Sequence, residues 1–124
     1  MDWIAQIVSD FGNRIGLPNL ALDGNGRLRM ALEDGTGMGL LYLDGEGSPE
    51  IVVYRSCPLA YLNAPAFRTA LRLADFRQPN AWPVQAGMSP RDLMLAMRIP
   101  ERAFSTSSLE NALGRLSELF VAIR

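Results

Sequence analysis

The apolar positions of the chain follow two rhythms. Trp3, Ile4, Ile7, Val8, Phe11 and Ile15 recur every three or four residues, the spacing of an amphipathic helix. Asp2 stands where it can cap the first turn, Gln6, Asp10, Asn13 and Arg14 form the wet side, and Gly16 and Pro18 supply a stop. From Leu20 the rhythm becomes alternation: Leu20 and Leu22 against Ala21 and Asp23, then Leu28, Met30 and Leu32 against Arg27, Arg29, Ala31 and Glu33. Asp23-Gly24-Asn25-Gly26 between them has tight-turn chemistry, so the pattern predicts a hairpin. A glycine cluster, Gly35 to Gly39, leads to a third strand through Leu40 and Leu43. Asp44-Gly45-Glu46-Gly47 turns again before a fourth, Ile51 to Tyr54. Strands joined by such short turns form an antiparallel meander.

A helix is predicted next, capped by Asn63 and carrying Pro65 in its first turn, where the missing N–H costs nothing. Phe67, Leu71 and Ala74 line one side with Leu73 and Phe76 beside them, while Arg68, Arg72 and Asp75 read as a solvated face. Pro79, Asn80 and Pro83 end this helix. Trp82 to Ala86 reads as a short strand, and Gly87 to Pro90 turn the chain into "DLMLAMRIP", Asp92 to Pro100. There Leu93, Leu95, Met97 and Ile99 face one way and Met94 and Ala96 the other. A strand apolar on both faces calls for cover on both, and a second subunit is one candidate for the second cover. The last helix opens with Ser107 and Glu110 at capping-box spacing and repeats Leu109, Leu113, Leu116, Phe120 and Ile123 on one stripe. The expected order is α-β-β-β-β-α-β-β-α: a single α+β domain over residues 1–124, a twisted antiparallel sheet with three helices and no linker or repeat.

Composition narrows the function. A chain of 124 residues buries only about 65–70% of its unfolded surface. With 48% apolar residues, it has apolar surface to spare for an oligomer or a protein-binding face. The net charge of −1 gives no basic stripe for nucleic acid. All 12 basic residues are Arg, and His is absent; Ser-His and Cys-His nucleophiles, imidazole metal sites and Lys Schiff bases are thereby excluded. Cys57 is the sole cysteine, so an internal disulfide is impossible and a reducing, intracellular setting is expected, with Cys57 a small buried hydrophobe. The N-terminus has no basic region of the secretory type, and no apolar run approaches the ~18 residues that span a bilayer.

Three local patterns invite chemistry and do not hold it. Gly35-Thr36-Gly37-Met38-Gly39 is followed by a strand, whereas phosphate loops open a helix. Asp23-Gly24-Asn25-Gly26 fails as a calcium loop, because Leu28 stands in the glycine position and no Glu closes the ring. The carboxylates Asp23, Glu33, Asp34, Asp44, Glu46 and Glu50 fall at turns and strand ends instead of converging as an acid–base pair. No enzyme activity, cofactor or metal is expected.

The ordered set "FGNRIGLPNLALD", "RLRMALED", "EIVVYRSC", "DLMLAMRIP" and "LENALGRLSELFVAI" resembles the class I chaperones of bacterial type III secretion, nearly end to end. The departure is in the middle helix, where Leu71-Arg72-Leu73-Ala74-Asp75 keeps only part of the family's Leu-Leu-x-Ala-Asn core. The resemblance implies a bacterial cytoplasmic homodimer that binds the N-terminal segment of a secreted effector, extended and partly helical. It implies that the effector is kept soluble and secretion-competent without ATP hydrolysis. The secretion ATPase or sorting machinery is a further implied partner; nucleic acid, membrane insertion and cofactors are not. Carried onto this chain, the dimer residues are Phe67, Leu71, Leu73, Trp82, Leu93, Leu95 and Met97. The effector-binding residues are Ile15, Leu17, Leu20, Leu22, Leu28, Met30, Leu32, Met38 and Leu40. For each of these strand positions two roles stay open, the protein's own core or a patch kept for another chain. The thioethers of Met30 and Met38 suit a surface that repacks around varied partners. The alternative reading is a small dimeric α+β ligand-binding or enzymatic domain with the sheet face as its pocket, which a thermal shift with nucleotides or metals would distinguish.

Overall fold

A computed structural model describes residues 2–45, 48–73 and 82–123. Helix α1 (Asp2–Arg14) leads to strands β1 (Arg27–Ala31), β2 (Gly37–Leu43) and β3 (Glu50–Pro58), then helix α2 (Ala64–Leu73). Strands β4 (Val84–Met88) and β5 (Asp92–Pro100) follow, and helix α3 (Thr106–Ile123) closes the chain, with single 3-10 turns after β3 and β5. The five strands form one antiparallel sheet in the order β1-β2-β3-β5-β4. The fold is α+β, as the pattern of the sequence implies, with one strand fewer than expected.

The missing strand is Leu20–Asp23. Helix α1 ends in a Schellman motif: Leu17 N–H donates to the Gly12 carbonyl (2.7 Å), Gly16 N–H to that of Asn13 (3.3 Å), and Gly16 takes φ 80°. Asn19, at φ 65°, then folds the chain back along α1. A Cβ at Gly12 would stand 2.6 Å from both the Leu17 oxygen and Leu20 Cβ, so glycine alone allows this return. Asp23 Oδ1 accepts from the N–H groups of Asn25 (2.8 Å) and Arg27 (3.0 Å), an Asx turn that takes donors a longer ladder would need. Leu20 and Leu22 pack against the core as a strap instead of as a strand.

The core lies between one face of the sheet and the helices. Ile51, Val53 and Cys57 of β3 and Leu93, Leu95, Met97 and Ile99 of β5 point into it, against Leu109, Leu116, Leu119 and Phe120 of α3 and Ile4, Val8 and Phe11 of α1. Each such large side chain contributes about 1.5–3 kcal/mol by burial. Cys57 is fully buried. The cap of α3 is Ser105 with Ser108, two residues earlier than the Ser107–Glu110 box: Ser108 N–H donates to Ser105 Oγ (3.0 Å) and Ser105 N–H to Ser108 Oγ (2.8 Å). Thr106 already has helical geometry, which makes Ser105 the cap. Glu110 is thereby released to pair with Arg14 of α1 at 2.7 Å. The expected continuation of α2 through Ala74, Asp75 and Phe76, its Pro79–Asn80 break and the Glu46–Gly47 part of the turn after β2 lie outside the described residues.

Candidate protein-binding surfaces

The register lays out the outer face of the sheet in rows. Arg27, Leu41, Val52 and Arg98 make one row; Arg29, Gly39, Tyr54, Ala96 and Gln85 the next; Ala31, Gly37, Ser56, Met94 and Gly87 a third. The helices pack on the opposite face, so Leu41, Val52, Tyr54, Met94 and Ala96 are left half-buried. With Arg27 and Arg29 they line an open groove of about 290 Å³. Gly37 and Gly39, which the sequence pattern places in the glycine cluster ahead of the third strand, belong to β2. A Cβ at Gly39 would sit 2.3 Å from Tyr54 Cζ and one at Gly37 2.6 Å from Ser56 Oγ, so the ring of Tyr54 lies flat across the strand where a larger residue would lift it.

At one end of the groove Arg98 is held by Gln85 Oε1 (3.2 Å) and by Glu50 (4.0 Å). At the other end, among the described residues, no carboxylate pairs with the guanidinium of Arg27 or Arg29, and both residues are exposed.

The inner face of the same hairpin carries the residues read as effector-binding. Leu28 stands opposite Leu40 and Met30 opposite Met38, which joins four of the nine positions in one patch beside the strap of Leu20 and Leu22. Leu40 is 3% exposed and part of the core, so it has no surface to offer a partner. Leu20, Leu22, Leu28 and Met38 are half-buried against that core, and Met30 and Leu32 are half-buried beside them. Ile15 and Leu17, in the Schellman turn, are 45% and 42% exposed.

The residues read as a dimer interface divide differently. Leu93, Leu95 and Met97 are at most 3% exposed and belong to the core cluster, so their side chains are part of the chain's own core. Trp82 is half-buried against that core. The side chains of Phe67, Leu71 and Leu73 lie outside the described residues.

One residue that pattern reading passed over organises this end of the molecule. Arg55 stands in β3 between the inward-facing Val53 and Cys57 and is itself 8% exposed. Its Nε donates to the Gly37 carbonyl (3.1 Å) and Nη2 to Thr36 Oγ1 (2.8 Å); Nη1 donates to Ser117 Oγ of α3. Its guanidinium carbon lies 5.9 Å from the centre of the Phe120 ring, within cation–π range. Asp34 Oδ1 in turn accepts from Thr36 N–H (2.9 Å) and Oγ1 (2.6 Å). The glycine-rich turn is thus locked to α3. An arginine in phase with the buried positions of "IVVYRSC" was its sequence signal.

Tyr42, in β2, has its phenol held above the ordinary range by partial desolvation and by the carboxylates of Glu101 and Asp44. Among the described residues no group of three His, Cys, Asp or Glu is placed to hold a metal ion. No helix there is long and apolar enough to cross a membrane. What the described surface offers is sheet, apolar side chains and a few arginines.

Comparison with protein-family models and with curated protein sequences yields no match. Comparison of structures does. A chain of the ExsC–ExsE complex superposes with a TM-score of 0.73 at 19% identity, over 94% of this chain and 87% of that one. The Yersinia pestis type III secretion chaperone SycH, in complex with a fragment of YscM2, gives 0.70 at 13% identity over 97% and 98%. The HopA1–SchA chaperone–effector complex gives 0.68 at 16% identity over 98% and 93%. The course of the backbone agrees with the ordered motifs of the sequence: the chain has the fold of the type III secretion chaperones.

Proposed function

We infer that the protein is a secretion chaperone: a homodimer that binds the N-terminal segment of a type III effector and keeps it soluble and competent for export, without nucleotide hydrolysis. The observation that carries this reading is the near end-to-end superposition on SycH and on a chaperone–effector complex. Apolar surface left uncovered on a small domain supports it, because such surface is stabilised by a partner. The effector patch is assigned to Ile15, Leu17, Leu20, Leu22, Leu28, Met30, Leu32 and Met38. Leu40 is dropped because it is buried. The dimer contact is assigned to Phe67, Leu71 and Leu73 of α2 with Trp82.

The mechanism needs no chemistry beyond recognition. An extended segment gains backbone hydrogen bonds along a strand edge, and alternate side chains enter apolar pockets. Ordering that segment costs several kcal/mol, so multiple anchors are required for tight holding. The test is affinity purification from the native cytoplasm with identification of bound proteins, alongside light scattering. The expected result is a two-to-one complex with one larger protein, bound through its N-terminal region. A monomer, or a dimer that holds a small molecule and no polypeptide, overturns the reading.

A further inference from the structure

We propose that the outer face of the sheet is a second docking surface, taking an amphipathic helix with acidic flanks, and that Arg27 and Arg29 select the acid. This rests on the reading that the protein holds another polypeptide, but it concerns a face and a specificity which that reading does not assign.

The occupant follows from three constraints. First, β2, β3 and β5 are interior strands whose backbone groups are spent on their neighbours, so anything lying across them must satisfy its own hydrogen bonds. A helix does so; an extended segment does not. Second, Leu41, Val52, Tyr54, Ala96 and Met94 run over three adjacent strands, a width of roughly 10 Å, which is the diameter of a helix. The small third-row residues Ala31, Gly37 and Gly87 let the strip lie open. Third, the groove is electrically one-sided. Arg98 is already held by Gln85 and Glu50, whereas Arg27 and Arg29 stand on the groove wall with no carboxylate partner among the described residues. A partner that brings Asp or Glu along the β1 side satisfies them, and one that brings Lys or Arg is repelled.

The same charges argue against a second copy of this chain on the face. Two copies laid face to face bring Arg27 and Arg29 into a shared apolar contact, and the two rows that hold them contain no carboxylate. Like-charge juxtaposition of this kind opposes self-association.

The probes are two synthetic amphipathic helical peptides of about 18 residues, five turns, with one leucine stripe and either Glu or Lys on its flanks. Binding to the full chain is read by fluorescence anisotropy at low and high salt, for the native protein and for the Arg27→Glu/Arg29→Glu variant. Both positions are exposed, so circular dichroism should show the fold unchanged. The Glu peptide should bind the native protein in a salt-sensitive way, and the variant should lose about tenfold in affinity for it while gaining for the Lys peptide. Equal binding of the two peptides, or no change in the variant, overturns the proposal. So does a dimer that dissociates on Val52→Asp substitution with neither peptide bound, which would give the face to a second copy. A natural effector retained equally by the native protein and the charge-reversed variant would remove this surface while leaving the chaperone reading intact. Failure to hold any polypeptide would remove both.

Discussion

The middle stretches of strands β3 and β5 carry apolar residues on both faces, and the two faces have opposite fates. Val53, Leu95, Met97 and Ile99 on one side are at most 2% exposed, while Val52, Tyr54, Met94 and Ala96 on the other are half-buried beside an open groove. Hydrophobicity does not separate them. The helices do: α3 carries an apolar stripe and Phe120 to one face, and among the described residues no element crosses the other. The inner face is buried as a core, and the outer face is left for something else to complete. The middle of a sheet can therefore be amphipathic in its cover without being amphipathic in its composition.

Substitutions should separate the faces by size of effect. On the inner face, Phe120→Ala should cost about 3–5 kcal/mol of stability, the loss of a buried ring plus the cavity it leaves, measured by urea unfolding. Arg55→Met should come next at about 1–3 kcal/mol, because Thr36 and the Gly37 carbonyl lose a buried donor. Amide exchange should localise that loss to β1 and β2, since Arg55 ties their turn to Ser117. On the outer face, Leu41→Ser should move stability by no more than about 0.5 kcal/mol while weakening partner binding. If Leu41→Ser unfolds the isolated chain as readily as Phe120→Ala, the outer face is a core surface and the comparison collapses. The exposed Arg14–Glu110 pair sharpens the lower limit: Arg14→Ala should cost at most about 1 kcal/mol by thermal melt.

Much of this fold could be read from spacing. The stripe of Leu109, Leu113, Leu116 and Phe120, the alternation of "DLMLAMRIP" and the Gly16 stop each follow from one local period, and each specifies its element. What could not be read depends on residues far apart in the chain. Leu20 and Leu22 alternate like a strand, yet Gly12 admits them so closely to α1 that they pack as a strap. Gly37 and Gly39 look like a loop until Tyr54 and Ser56 are laid over them. Ser107 and Glu110 have capping-box spacing, yet the helix begins two residues earlier and Ser105 caps it. The candidate surfaces were legible only in part for the same reason. Leu40, Leu93, Leu95 and Met97 have the composition of an interface and the position of a core, and the period of a strand cannot tell which face a helix will cover.

The pairing of α1 with α3 has a consequence for how the protein is made. The first helix faces Phe104 through Trp3 and Glu110 through Arg14, so, apart from the Leu20–Leu22 strap, its docking partners come from residues 104–123. A ribosome releases α1 roughly a hundred residues before them, at about 5–20 residues per second. For those seconds Ile4, Val8 and Phe11 have no helix to pack on. Likewise β3 must wait for β5, with α2 and β4 intervening. The core is thus completed only once α3 has been made, and a nascent chain stopped before Ser105 should show α1 unprotected in amide exchange. A protein proposed to shelter the unfolded end of another chain begins its own existence with its first helix in need of the same shelter.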